Sequence, residues 1–135
     1  MPQIEYRVNE KISVEQFVDL LNRSTLAARR PLESAERVQR MLDHANLTIT
    51  AWDGEKLVGV SRALTDFSFC CYLSDLAVDE TCQCSGIGKE LIRHTREEAG
   101  LECTLLLLSA PAAMEYYPKV GFEKLGNAFA IIRER

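Results

Sequence analysis

LSDLAVDETCQCSGIGKELI, residues 73–92, is the stretch that decides the fold. An extended apolar run ends at Val78 and a loop of small and polar residues follows. Gly86 and Gly88 then open a helix that carries Ile87, Leu91, Ile92 and Thr95 on one side. The start of a helix leaves backbone N–H groups without helical acceptors, and the helix dipole adds about half a positive charge there. Glycine also removes the Cβ atoms that hold an anion away. The pair fits a diphosphate-bearing ligand, or it only shapes a tight turn into the helix. A Rossmann fingerprint needs a third glycine where Leu91 stands, and a Walker loop needs Ser or Thr where Glu90 stands.

Working outward, CCYLSDLAV (70–78) reads as the strand before this loop, and CTLLLLSA (103–110) as a strand covered on both faces. Together they predict a βαβ unit with a right-handed crossover. Upstream, LTITAWD (47–53) and KLVGVSRALTD (56–66) flank Asp53-Gly54-Glu55 as an antiparallel hairpin. QIEYRV (3–8) alternates as a short strand. Ser13 caps a helix with Val14, Phe17, Val18 and Leu21 inward. The loop TLAARRPLE contains Pro31, and a second helix starts near Ser34 with Ala35, Val38, Met41, Leu42 and Ala45 as its stripe. Downstream, a short helix is predicted over 111–118 and strands over 121–125 and 128–133, joined at Gly126-Asn127. The expected class is α/β: one domain over residues 1–135, with a mixed, mostly antiparallel sheet around a central parallel βαβ unit.

The chain has 135 residues, 47% hydrophobic and 27% charged, which excludes a disordered or collagen-like polymer. Sixteen basic and twenty acidic residues give a net charge of −4, a poor background for gripping nucleic acid. No apolar run is long enough for a bilayer, and MPQIEYRVNEK lacks the features of a secretory signal, so a cytoplasmic location is expected. Cys70, Cys71, Cys82, Cys84 and Cys103 are an odd set that favours free thiols. The C-x-C pair, even with His94 nearby, lacks zinc-site spacing, so no metal is expected.

QCSGIG (Gln83–Gly88) resembles the Q/R-x-x-G-x-G/A signature of the GNAT superfamily of N-acetyltransferases, which use acetyl-CoA. YYPKVGF (116–122) resembles that family's Y-x-K-x-G-F element, and the likeness spans about residues 45–125 in the expected order. The resemblance implies an acyl-CoA N-acyltransferase fold. It implies that the backbone amides of Gln83, Cys84, Ser85, Gly86, Ile87, Gly88 and Lys89 cradle the CoA pyrophosphate. Leu76, Ala77 and Val78 then line the pantetheine arm, on a strand that splays from its neighbour at a bulge. Ser109 and Ala110 form the other lip of that opening. Cys82 and Cys84 depart from the residues usual beside the Gln; near a helix N-terminus they are either unreactive small residues or thiols whose oxidation modulates CoA binding.

The resemblance also implies that Tyr117 is the general acid that protonates the departing thiolate, with Tyr116 left to packing and Gly121 and Phe122 to structure. The base that deprotonates the attacking amine is expected from Asp75 or Glu33. A strand amide, that of Val78 or Ala77, polarises the acetyl carbonyl. His44 and His94 read as structural or surface residues. Arg29 and Arg30 read as a solvated loop pair, the alternative being contact with an anionic substrate or a CoA phosphate. The activity implied is acetyl transfer to a primary amine, of a small molecule or a peptide, by direct attack in a ternary complex. Overall acidity suits a cationic acceptor, chosen by the first two helices, their loop at 24–34 and the hairpin at 53–56. The alternative is a non-catalytic acyl-CoA-binding or interaction module. An edge strand at 128–133 offers a surface for a homodimer.

Overall fold

The computed structural model describes residues 3–135 apart from the Cys84 side chain. Its framework is an antiparallel meander of β1 (Ile4–Val8), β2 (Leu47–Asp53), β3 (Lys56–Thr65) and β4 (Cys70–Val78). Asp53 pairs with Lys56, so the β2–β3 turn has two residues, and Gly54 takes φ +61° there without strain. The β3–β4 turn is held by Asp66, whose Oδ1 accepts from the amides of Ser68, Phe69 and Cys70. β5 (Thr104–Leu106) joins the far edge parallel to β4, giving the order β1-β2-β3-β4-β5.

Helices cover both faces, which is why β3 is buried from Leu57 to Ala63 without alternation. On one face lie α1 (Val14–Asn22) and α2 (Ala35–His44), where Phe17, Leu20, Leu21 and Val38 pack on Trp52, Leu57, Val60 and Ala77. Ser13 and Ser34 cap these helices as expected, Ser13 through a reciprocal capping box with Gln16. On the other face lies α3 (Ile87–Ala99), whose Ile87, Leu91, Ile92 and Ala99 meet Ile49, Ala51, Val58, Cys71 and Leu73. Gly59 permits this approach: a Cβ there comes within 3.0 Å of Leu91 Cδ1 and 3.1 Å of Ile87 Cγ2. The buried hydroxyls of Ser61 and Thr95 satisfy each other across the same interface at 2.5 Å.

The C-terminal third departs from the expectation. The run 103–110 contributes only three paired residues, and Leu106 and Leu108 are exposed rather than covered on both faces. The expected helix over 111–118 divides into a 3₁₀ turn at Pro111–Ala113 and a single turn, α4 (Tyr116–Lys119). Pro118 has no N–H to give the Met114 carbonyl, so the helical ladder lacks that bond, and Pro118 sits instead in the first turn of α4. Residues 121–125 and 128–133 form no strand. Their alternation supplies amphipathicity but no backbone partner, and Phe129 and Ile131 are fully exposed. The edge on which a homodimer was expected is therefore not formed. No helix among the described residues is long and apolar enough to cross a membrane.

The α3 interface supplies a direct check of the core. Leu91→Ala is expected to lower the free energy of unfolding by about 2–5 kcal/mol, read from the urea midpoint at unchanged m-value. A loss below about 1 kcal/mol contradicts close packing there.

Candidate functional site

β4 is nine residues long, yet β5 pairs with only its first three: Cys70, Cys71 and Tyr72 face Thr104, Leu105 and Leu106. Beyond Tyr72 the two strands part. On its other edge β4 stays paired with β3 to Val78, through a register shift between Arg62 and Ala63 that leaves Ser74 without a partner. The Asp79 amide donates to the Val58 carbonyl, so alternation turns the N–H and C=O of Leu76 and Val78 away from β3, toward the opening. Ala77 turns its amide the other way, toward β3, and its side chain into the core beneath α1 and α2. Of the two amides expected to polarise a carbonyl, Val78 is the one that faces the gap.

The loop after β4 is braced at both ends. Asp79 caps the 3₁₀ turn Glu80–Ser85 by accepting from the Thr81 amide and hydroxyl, and it forms a short ion pair with Arg23 at the end of α1. Arg23 also donates to the Leu57 carbonyl, and the Glu80 amide donates to the Arg23 carbonyl. Burial pushes the Asp79 carboxyl up, but the Thr81 donors and the Arg23 guanidinium outweigh it and hold its pKa at about 2. Gln83 lies inside the loop, its amide group donating to the Val78 carbonyl at 3.3 Å.

Gly86 ends the loop at φ +82° and serves as the N-cap of α3, with no side chain covering the helix end. The first helical bond runs from the Glu90 amide to the Gly86 carbonyl. The amides of Ile87, Gly88 and Lys89 therefore lie ahead of the helical ladder. This uncapped end adjoins the Val78 end of the open strand, since a Cβ on Gly88 meets Val78 Cγ2 at 3.8 Å. Cys82 is free and half-buried.

Tyr116 reaches this region and Tyr117 packs behind it, a division the sequence did not anticipate. The Tyr116 hydroxyl rests on Gly88, where a Cβ would stand 2.8 Å from it. Tyr117 packs edge-on against Phe122 and Tyr116, with centroids 5.5 and 5.3 Å away. Burial raises the Tyr117 pKa and Tyr116 adds to the rise, while the positive charge of Arg30 opposes both. A raised pKa keeps the phenol protonated at neutral pH, as a proton donor requires.

Asp75 is fully shielded, with each carboxylate oxygen taken by a different guanidinium: Oδ1 by Arg30 Nε and Oδ2 by Arg62 Nε. Arg30 also donates to the Ser74 carbonyl at 2.7 Å, and Arg62 to Ser74 Oγ at 3.1 Å and the Met41 carbonyl at 3.2 Å. Arg30 is thus not part of a solvated pair, although Arg29 is exposed. Glu33 is exposed in the same loop. His94 stacks on Tyr6 at 4.9 Å, outside the opening, and His44 closes the last turn of α2.

Ser109 hydrogen-bonds the adjacent Ala110 carbonyl at 2.8 Å. It lines a cavity of about 420 Å³ on the outer side of β5, shared with Tyr117 and Phe122 but with no residue of 76–89. The cavity and the β4 opening are therefore distinct, and the chemistry of the loop belongs to the opening. Among the described residues no group of three or more His, Cys, Asp or Glu is arranged to hold a metal.

The residues that sequence reasoning missed are Arg23, Arg62 and the placement of Tyr116. A charged residue inside the apolar run LVGVSRAL was the one available signal for Arg62.

The acetyltransferase (GNAT) domain family matches residues 13–130. An uncharacterised N-acetyltransferase of Prochlorococcus marinus is 27% identical over 93% of this chain and 71% of its own length. A GNAT-family acetyltransferase of Streptococcus pneumoniae superposes with a TM-score of 0.78 at 21% identity, over 98% of each chain. An aminoglycoside N-acetyltransferase solved in complex with CoA superposes with a TM-score of 0.73 at 16% identity, over 98% of this chain and 96% of its own.

The Asp79 brace has a pH signature. Its pKa of about 2 in the folded protein lies below the unfolded value of about 3.9. Its contribution is therefore complete above the unfolded pKa and is lost as pH falls toward 2. Asp79→Asn is expected to cost about 2 kcal/mol at pH 7, and the gap from wild type should shrink in urea unfolding at about pH 3. A gap unchanged at that pH contradicts the brace.

Proposed function

Because the chain belongs to the GNAT acetyltransferase family, we propose that it moves the acetyl group of acetyl-CoA to a primary amine of a small molecule or peptide. Residues 1–135 act in this reading as one domain, and the amine attacks directly with both substrates bound. The parting of β4 from β5 beyond Tyr72, with an uncapped α3 at the same opening, is the observation that carries the proposal.

Each part of the opening suits one part of the coenzyme. The Leu76 and Val78 edges can pair with the amides of a pantetheine arm as a further strand would. The amides around Gly86 and Gly88 offer N–H groups and a helix dipole to a pyrophosphate, and the bare Cα of Gly88 keeps that surface low. Gln83, Cys84, Ser85, Ile87 and Lys89 complete that cradle through their main chain. Ser109, on the segment leaving β5, lines the neighbouring cavity instead, and the coenzyme contact expected of it finds no support in the opening.

The thioester supplies an activated acyl carbon. Val78 stands beside the α3 end that takes the pyrophosphate, so within the chain the Leu76 amide, the next one turned toward the opening, is the donor for the acetyl oxygen, and the Tyr117 hydroxyl gives its proton to the departing sulfur. Asp75 has both oxygens occupied by arginines and no exposed surface, so we assign it to positioning Arg30 rather than to removing the amine's proton. Glu33 and solvent are what remain for that proton.

Two variants separate binding from chemistry. Tyr117→Phe is expected to bind CoA as wild type does while kcat falls about a hundredfold or more. Gly88→Val pushes a branched side chain toward the Tyr116 hydroxyl and is expected to weaken CoA about tenfold or more in calorimetry. Tight CoA binding with no turnover on any amine in a broad panel points instead to a binding module. Absence of CoA binding in folded protein overturns the proposal.

A further inference from the structure

We propose that Arg30 selects the acceptor by its charge, and that the amine this protein recognises carries a carboxylate bound by the Arg30 guanidinium. The inference rests on the acyl-transfer reading for where the acceptor lies. Three observations lead to it.

The first is charge balance. Two guanidinium groups, Arg30 and Arg62, share the single carboxylate of Asp75, and Glu33 makes no ion pair with either among the described residues. One positive charge is left over in a partly buried cluster, where an anion completes it. The second is donor count. A guanidinium has five N–H donors, and Arg30 spends one each on Asp75 Oδ1, the Ser74 carbonyl and the Arg29 carbonyl. One N–H remains on each terminal nitrogen, a pair suited to the two oxygens of one carboxylate. A monoanion also neutralises the surplus, whereas a phosphate dianion overshoots it.

The third is place. Asp75 and Arg62 are almost fully buried, with side chains 0% and 8% exposed, but Arg30 retains 19%. It therefore alone presents the cluster's charge to a ligand. Arg30 docks on Ser74, just past Tyr72, where β4 loses β5, and its charge is felt at Tyr117. The surplus thus faces the reacting end of the opening. A cationic acceptor, which the net charge of −4 suggested, meets repulsion there.

The test uses glycine, β-alanine and γ-aminobutyrate, each against its own amide, with wild type, Arg30→Gln and Arg30→Lys. Binding is measured by calorimetry without coenzyme, and acceptor KM and kcat with acetyl-CoA. Wild type is expected to favour at least one acid over its amide by about 10- to 100-fold. Arg30→Gln should abolish that preference through KM, and Arg30→Lys should retain part of it. Arg62 still holds Asp75 in both variants; if Arg30→Gln does not fold, the reduced preference of Arg30→Lys decides. Equal binding of acid and amide at every length, or a preference that survives loss of Arg30, overturns the inference. An Arg30-dependent preference without any turnover counts against acetyl transfer alone.

Discussion

Six residues of β4, Leu73 to Val78, run on after their parallel neighbour has left, and most of what is specific to this chain follows from that. A strand inside a fold cannot leave its N–H and C=O groups unsatisfied without cost. Here β3 satisfies one edge of β4, while side chains take only part of the other: Arg30 on the Ser74 carbonyl and Gln83 on the Val78 carbonyl. The remaining groups stand beside the uncapped amides of α3, so an extended ligand ending in an anion answers both deficits. The register shift opposite Arg62 and Ala63 sends Asp75 and Ala77 to the α1–α2 side and leaves Leu76 and Val78 on the α3 side. Strand polarity, not a special side chain, produces the site.

Two arginine–aspartate clusters hold this opening in shape, and they differ in kind. Arg23–Asp79 joins the end of α1 to the start of the loop after β4 and is balanced, two cations to two anions, since Arg23 also pairs with Asp19 and Lys56 lies 3.8 Å from Asp79. Arg30–Asp75–Arg62 joins the α1–α2 loop and the end of α2 to the middle of β4 and carries a surplus charge. A balanced cluster fixes geometry; in the acceptor reading proposed above, the unbalanced one also receives the substrate's carboxylate. The α1–α2 region thus contributes to the site through charge as well as by covering the sheet.

Local signals were legible in the sequence because they need no knowledge of partners. Ser13, Ser34 and Gly54 declare helix starts and a turn from their own chemistry, and the Ile87, Leu91, Ile92, Thr95 stripe declares the buried face of α3. Gly86 and Gly88 were legible as a break in side-chain cover. What failed was partnership. Residues 121–125 and 128–133 have strand periodicity, but alternation cannot say whether an edge is there to receive it. Arg62 and Asp75 lie directly opposite each other across β3 and β4, a relation set by register and a bulge that no spacing reveals. Tyr116 and Tyr117 were divided by analogy, and only the structure puts the Tyr116 hydroxyl over Gly88.

The central claim, that unpaired backbone at the β4–α3 corner receives the coenzyme, is tested most directly by following backbone amide resonances while CoA is added. The account requires the largest shifts at Leu76 and Val78 and from Gln83 to Lys89, with β1 and β2 little changed. Shifts centred instead on the outer side of β5, around Leu105, Leu107 and Phe122, would place the ligand in the separate cavity and contradict it.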